Sequence, residues 1–183
     1  LLAIILVCSY TAFAQDSSLF EKKELIVKGD TLPYRMLYPE NFDTEKTYPL
    51  ILFLHGAGER GNDNQKQLTH GSALFLDQNN RTKFPAIVIM PQCPKDDYWA
   101  QVNVDRSNYP VQLDFQFKKG PTKAMDLVLQ LLENYEKEDF VDKNKTYVMG
   151  LSMGGMGTYE LLARQPDRFA AAIAICGAGD ATY

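Results

Sequence analysis

The sequence predicts an α/β domain built on a mostly parallel sheet with helices on both faces, and three observations carry that expectation. Two apolar runs, residues 48–54 (YPLILFL) and 85–90 (PAIVIM), lack polar alternation, as do strands covered on both faces of a parallel sheet. Residues 122–138 place Met125, Val128, Leu129, Leu132 and Tyr135 three and four apart, which makes one buried helical stripe. Strand-like and helix-like segments then alternate to the end of the sequence.

The elements follow in chain order. Residues 1–14 contain no charge and end in Ala12-Phe13-Ala14 before polar Gln15. This is the apolar core and cleavage site of a secretory leader, with cleavage expected after Ala14. It is too short to span a bilayer, which takes about 20 apolar residues; the competing reading is a buried first strand or helix. A lipid anchor at Cys8 fits less well, because Ile5-Leu6-Val7 lacks small residues. With neither an initiating Met nor a basic leader, the sequence is expected to begin inside its gene. The expected domain covers 15–183, exported to the periplasm or the medium, with no membrane anchor once the leader is removed.

Short strands are expected at 25–27 and 34–38 around the turn Lys28-Gly29-Asp30, ended by Pro39. The runs at 48–54 and 85–90 supply two more. Residues 99–119 are polar and close on Gly120-Pro121, and are expected to form a loop across the sheet's mouth. The helix at 122–138 is followed by a short strand at 146–149, a helix at 153–164 stopped near Pro166, and a strand at 169–176.

Composition narrows the function classes. The chain has 183 residues, 45% apolar and 23% charged, with a formal net charge of -4. Those are the proportions of one ordinary globular domain. No basic patch points to nucleic acid or to anionic membrane. No metal-ligand spacing, phosphate loop or dinucleotide fingerprint is present, so no cofactor is expected.

Chemistry concentrates where the strand at 146–149 meets the following helix. Gly150-Leu151-Ser152-Met153-Gly154 fits G-x-S-x-G, and the strand–turn–helix context is the one that gives the pattern meaning. Such a turn strains the serine backbone, and Gly150 and Gly154 remove side chains that would clash two residues to either side. Ser152 is the candidate nucleophile. The N–H of Met153, at the helix start, is a candidate oxyanion donor. A plain helix cap is the competing reading. His55-Gly56-Ala57-Gly58 follows directly on the strand at 48–54, where such folds carry a second donor. Ala57 is the candidate, with Gly56 and Gly58 leaving room for a carbonyl to approach.

The stretches LHGAGERGNDN (54–64), MPQCP (90–94), GLSMGGMGTYELLARQPDRFAA (150–171) and ICGAGD (175–180) resemble secreted α/β-hydrolases of the predicted-peptidase and carboxylesterase/phospholipase-like group. These are akin to prolyl-oligopeptidase-like, feruloyl and polyhydroxybutyrate-depolymerase-type esterases. The resemblance implies an α/β-hydrolase fold, a structural role for His55 in tying the loop, and a substrate pocket near Glu59 and Arg60; Trp99, beyond 90–94 at the carboxyl side of a strand, where ligands bind in open α/β sheets, is a further candidate wall of that pocket. For Glu59 and Arg60 the alternative is a solvated loop held by its own hydrogen bonds. For Trp99 it is a packed lid residue.

A triad in this fold runs serine, acid, histidine. The chain's two histidines, His55 and His70, both precede Ser152, and Asp180 is the only carboxylate after the last strand. The base is therefore expected beyond residue 183, and the sheet is expected to lack its last strands and helix. The 183-residue chain is expected to be inactive and aggregation-prone, with 169–176 as a raw apolar edge. In the implied strand order Cys93 and Cys176 stand three strand steps apart, about 14 Å. A disulfide needs Cα atoms within about 7 Å, so free, mostly buried thiols are expected. The substrate implied is a small-molecule or polysaccharide ester. The rival readings are a prolyl-oligopeptidase-type peptidase and a non-catalytic binding protein on a hydrolase scaffold.

Overall fold

A computed structural model of the chain describes residues 16–182. The expected leader over 1–14, its cleavage point and Cys8 lie outside the described residues.

The chain starts with an antiparallel pair, β1 (Glu21–Val27) and β2 (Asp30–Leu37), joined at the expected turn. β3 (Tyr48–Leu54) coincides with the apolar run that predicts it. Two short helices follow, α1 (Ser72–Leu76) and α2 (Gln78–Lys83), then β4 (Ile87–Pro91). The second half holds α3 (Lys123–Tyr135), β7 (Val141–Leu151), α4 (Met153–Arg164) and β8 (Ala171–Ile175), after a small hairpin of β5 (Val102–Asp105) and β6 (Gln112–Phe115). The main sheet has the order β1-β2-β4-β3-β7-β8. Its four strands from β4 to β8 are parallel, and β2 joins them antiparallel.

The expected loop at 99–119 thus needs correction, because it contains the β5–β6 hairpin. Val102, Val104, Leu113 and Phe115 alternate with exposed polar residues, and each strand turns one half-buried face inward. The period of two was present in VNVD and QLDF, but four residues are too few to stand out from polar surroundings. β7 also begins earlier than expected: after Val141 it runs through polar Asp142 to Lys145, of which Lys143 to Lys145 are open to solvent, so hydrophobicity gave no sign of it.

β3 occupies the middle of the sheet, and its continuous apolar run follows from that place. Leu50, Leu52 and Leu54 point into one fully buried cluster with Ile87, Ile89, Val148, α3 and Leu161 of α4. Each such side chain contributes about 1.5–3 kcal/mol by leaving water. Met125, Val128 and Leu132 of α3 form the expected stripe, which Ala124, Leu127 and Leu131 widen; Leu129 and Tyr135 sit at its margin. Phe53 packs on the opposite face with Val88, Met90 and Leu68, partly covered by Phe75 and Leu76 of α1. A groove of about 460 Å³ remains on that face, lined by Leu37, Ile51, Val88, Met149 and Ile173, and carries none of the candidate site residues. β8 ends the sheet among the described residues, with Ile173 and Ile175 exposed. No helix among the described residues is long and apolar enough to cross a membrane.

Cys93 and Cys176 are both free, as their separation by β3 and β7 requires. Cys93 is buried; Cys176 is exposed at the end of β8, against the expectation that both be mostly buried.

Candidate active site

Parallel strands deliver their carboxyl ends to one rim of the sheet, and two loops meet there. The first turns β7 into α4. Ser152 alone occupies this turn, at φ 54° and ψ -110°, a conformation side-chain-bearing residues rarely adopt. Its side chain makes no capping hydrogen bond to α4, and the residue is exposed. A serine serving as an ordinary cap would accept from the helix N–H groups; this hydroxyl does not.

The turn closes because two glycines flank it. A Cβ on Gly150 would stand 2.0 Å from the Gly154 carbonyl oxygen, and one on Gly154 would stand 1.9 Å from the Leu54 oxygen. Gly157 meets the Trp99 Cβ position at 2.5 Å, and Gly155 meets Gly177 at 2.8 Å. α4 therefore lies directly on the ends of β3 and β8. The Ser152 N–H donates to the Ile175 carbonyl at 2.7 Å, which ties the turn to the edge strand.

The second loop leaves β3 at His55. A Cβ on Gly56 would lie 3.8 Å from Ser152 Cβ, so the stretch expected to hold the second donor does run beside the serine. Ala57 opens a one-turn 3₁₀ helix, Ala57–Glu59. Ala57 and Met153 each begin a helical turn, where N–H groups lack an intrahelical acceptor.

His55 is fully buried and holds this loop. Its Nδ1 lies 2.6 Å from the Gly56 carbonyl oxygen, while its Nε2 accepts from the Cys93 N–H at 3.0 Å. The proton therefore resides on Nδ1. Burial, with a smaller push from the charge of Arg60, lowers the imidazole to about 4, so it is neutral at physiological pH.

Trp99 requires a second correction. It was a candidate pocket wall, yet it is fully buried. Its indole N–H donates to the His55 carbonyl at 3.0 Å, and its ring meets the imidazole edge-on at 5.2 Å. It is a pillar beneath the loop and presents no face to a ligand. Arg60 also works on the loop: Nε donates to the Ala57 carbonyl at 3.1 Å, Nη1 to the Asp97 carbonyl at 3.2 Å, and the guanidinium lies 4.6 Å over the Tyr98 ring. Glu59 points its carboxylate toward Gly56, with His70 Nε2 at 3.7 Å. A cleft of about 610 Å³ opens beside Ala57, bounded by Arg60, Asn62, Lys66, Lys95 and Asp96.

Two supporting residues lie within the quoted stretches 90–94 and 150–171, but nothing in their spacing marks their roles. Gln92, fully buried at the end of β4, accepts from the Asn64 N–H at 2.7 Å and donates to the Glu59 carbonyl at 3.1 Å and to Asp63 at 2.9 Å. The N–H groups of Lys66 and Gln65 also reach Asp63, and these bonds hold its carboxyl far below the usual carboxylate range. Glu160, buried on α4, accepts from the Gln101 N–H and from Arg164 Nε, at 2.8 Å, so the base of the hairpin is fastened to the helix behind Ser152. Burial pushes the Glu160 carboxyl up. Among the described residues no cluster of His, Cys, Asp and Glu suits a metal ion.

Residues 113–183 match the family described as the prolyl oligopeptidase family, Peptidase_S9. A crystal structure of a thermostable esterase is 35% identical, with a TM-score of 0.78 over 90% of this chain and 43% of the esterase. At fold level the chain is also similar to a CE1 ferulic acid esterase from Anaeromyces mucronatus (17% identity, TM-score 0.58, 87% of this chain and 59% of that one). An S-formylglutathione hydrolase from Staphylococcus aureus is comparable (20%, 0.59, 87% and 57%). The chain thus spans about half the length of these structures. No curated protein matches it. With its parallel sheet, its strand–turn–helix at Ser152 and these likenesses, the chain has the α/β-hydrolase fold and is similar to hydrolases of the peptidase and esterase type.

Proposed function

We propose that this chain carries the nucleophile and oxyanion donors of a carboxylic ester hydrolase. The observation that supports the reading most is the Ser152 turn: a strained backbone, an uncapped and exposed side chain, and Gly56 packed beside it. Ser152 Oγ attacks the ester carbonyl carbon and gives its proton to a base. The carbonyl oxygen becomes an oxyanion and accepts from the Met153 and Ala57 N–H groups. Collapse expels the alcohol, which takes the proton, and leaves an acyl-serine. Water then repeats the route and releases the acid.

The base is an imidazole that chain order in this fold puts after the serine. His55 is unsuited, because both its nitrogens are engaged in loop contacts and it is buried. His70 precedes the serine and is half exposed beside Glu59. Acyl groups on polysaccharide are the substrates we place first, as the resemblance of the quoted motifs implies. We also read the protein as exported, on the apolar segment over 1–14.

A second reading, a serine peptidase, is favoured by the prolyl oligopeptidase match over 113–183. A fluorophosphonate probe on the whole protein tests the shared chemistry: Ser152 should be labelled, and S152A should abolish labelling. An unlabelled Ser152 would favour a binding protein on a hydrolase scaffold. Turnover of p-nitrophenyl esters against aminoacyl nitroanilides then separates esterase from peptidase.

A further inference from the structure

We propose that Glu59 is a substrate-binding residue that selects for a positively charged group, an ammonium, close to the carbonyl that Ser152 attacks. The inference rests on the reading of Ser152 as nucleophile and adds a substrate class to it.

The Glu59 side chain is only 13% exposed. Among the described residues its Oε2 has no hydrogen-bond partner, and Oε1 has a single cationic neighbour, His70 Nε2 at 3.7 Å, on a side chain 57% exposed. That distance is beyond hydrogen bonding. The adjacent guanidinium does not neutralise the carboxylate: Arg60 turns away to the Ala57 and Asp97 carbonyls and stacks on Tyr98. No lysine or arginine pairs with Glu59 among the described residues.

The carboxylate lies near the candidate reacting centre. Oε2 lies 3.0 Å from where a Cβ on Gly56 would stand, and Ser152 Cβ lies 3.8 Å from that same point. The oxygen and the serine are therefore no farther apart than those two distances laid end to end. The Gly56 carbonyl is meanwhile held by the Glu59 N–H, at 3.3 Å, and by the His55 ring, so the turn that carries the carboxylate is fixed.

Two costs attach to this arrangement. A carboxylate on a side chain only 13% exposed keeps part of its hydration, and a partner that replaces the lost part is favourable. A negative charge beside the oxyanion donors also opposes the charge that grows on the carbonyl oxygen in the transition state. A cation on the substrate removes both, by donating to Oε2 and by offsetting the carboxylate's field. A neutral substrate removes neither, and an anionic one adds repulsion. The class implied is an ester or amide that bears an amine on the acyl side, as an aminoacyl group does.

The test compares Ser152 labelling in the whole protein by two alkyl fluorophosphonates of equal length, one ending in an ammonium and one in a methyl group. Wild type should react faster with the ammonium probe. E59Q should cut that preference about tenfold or more, the worth of one hydrogen bond to a charged group. E59D, which keeps the charge, should retain a preference, and a thermal melt confirms that each variant is folded. Equal rates for the two probes in wild type, or an E59Q change that is the same for both, would overturn the proposal. The second result would make Glu59 a positioning residue for the base. If Ser152 takes up neither probe, the hydrolase reading fails. An NMR titration with benzylammonium and benzyl alcohol then still judges Glu59: ammonium binding that E59Q weakens supports it, and binding indifferent to E59Q refutes it.

Discussion

One added methyl group at residue 154 tests the architecture on which the serine turn depends. In G154A the new Cβ would stand 1.9 Å from the Leu54 carbonyl oxygen, 2.5 Å from its carbon and 2.9 Å from the His55 oxygen. Ordinary contact between such atoms is about 3.5 Å, so helix and strand must part by about 1.5 Å. Neither side yields readily: Leu54 ends the central strand and is fully buried, and α4 is anchored by Leu161. Alanine is favoured over glycine in a helix by about 1 kcal/mol, a gain that partly offsets the clash. Overpacking costs about 1–3 kcal/mol when side chains can adjust, and more when backbone meets backbone. The expected net loss is about 2–4 kcal/mol, read as a lower urea midpoint at unchanged slope. Because the parting moves the Ser152–Met153 turn by about 1 Å, fluorophosphonate labelling should slow by about 100-fold. G58A is the control: nothing lies within 4 Å of its Cβ position, so its stability should stay within about 0.5 kcal/mol of wild type. A G154A protein with the wild-type midpoint and labelling rate would refute the packing of α4 on β3.

The His55 imidazole is lowered from 6.5 to about 4, so the unfolded chain binds its proton first as pH falls. Its contribution should be intact above pH 6.5 and decline toward pH 4 by about 3 kcal/mol in all; H55Q should flatten that part of the stability–pH curve, and an unchanged curve would count against the buried neutral imidazole. W99F removes the indole N–H that satisfies the His55 carbonyl and should destabilise by about 1–3 kcal/mol, measured by denaturant melts. Of the two described cysteines, Cys176 should react promptly with a disulfide reagent in the native protein. Cys93, buried and with its thiol pushed up chiefly by desolvation, should react only on unfolding; prompt reaction of Cys93 would contradict its place at the end of β4.

Legibility followed distance along the chain. β3, α3 and α4 were readable because burial imposes its period on consecutive residues, and the Ser152 turn because its glycines sit within two positions of it. The β5–β6 hairpin was too short to display a period, and the start of β7 is polar because it is solvated. Trp99 was misplaced for a different reason. Whether a tryptophan lines a pocket or fills space beneath a loop depends on what lies across from it, here His55, 44 positions earlier.

By itself, then, the sequence determined the layered α/β architecture, the central strand, and a serine on a strand-to-helix turn, since each follows from spacing within a dozen residues. Tertiary structure decided which groups surround that serine. His55 is locked by Cys93, Gln92 gathers Asn64 and Glu59, Glu160 fastens the hairpin, and the Glu59 carboxylate comes to rest near Gly56 with little to neutralise it. Hydrogen bonds and charges act through space, and the residues that meet at the rim of a parallel sheet arrive there on separate strands.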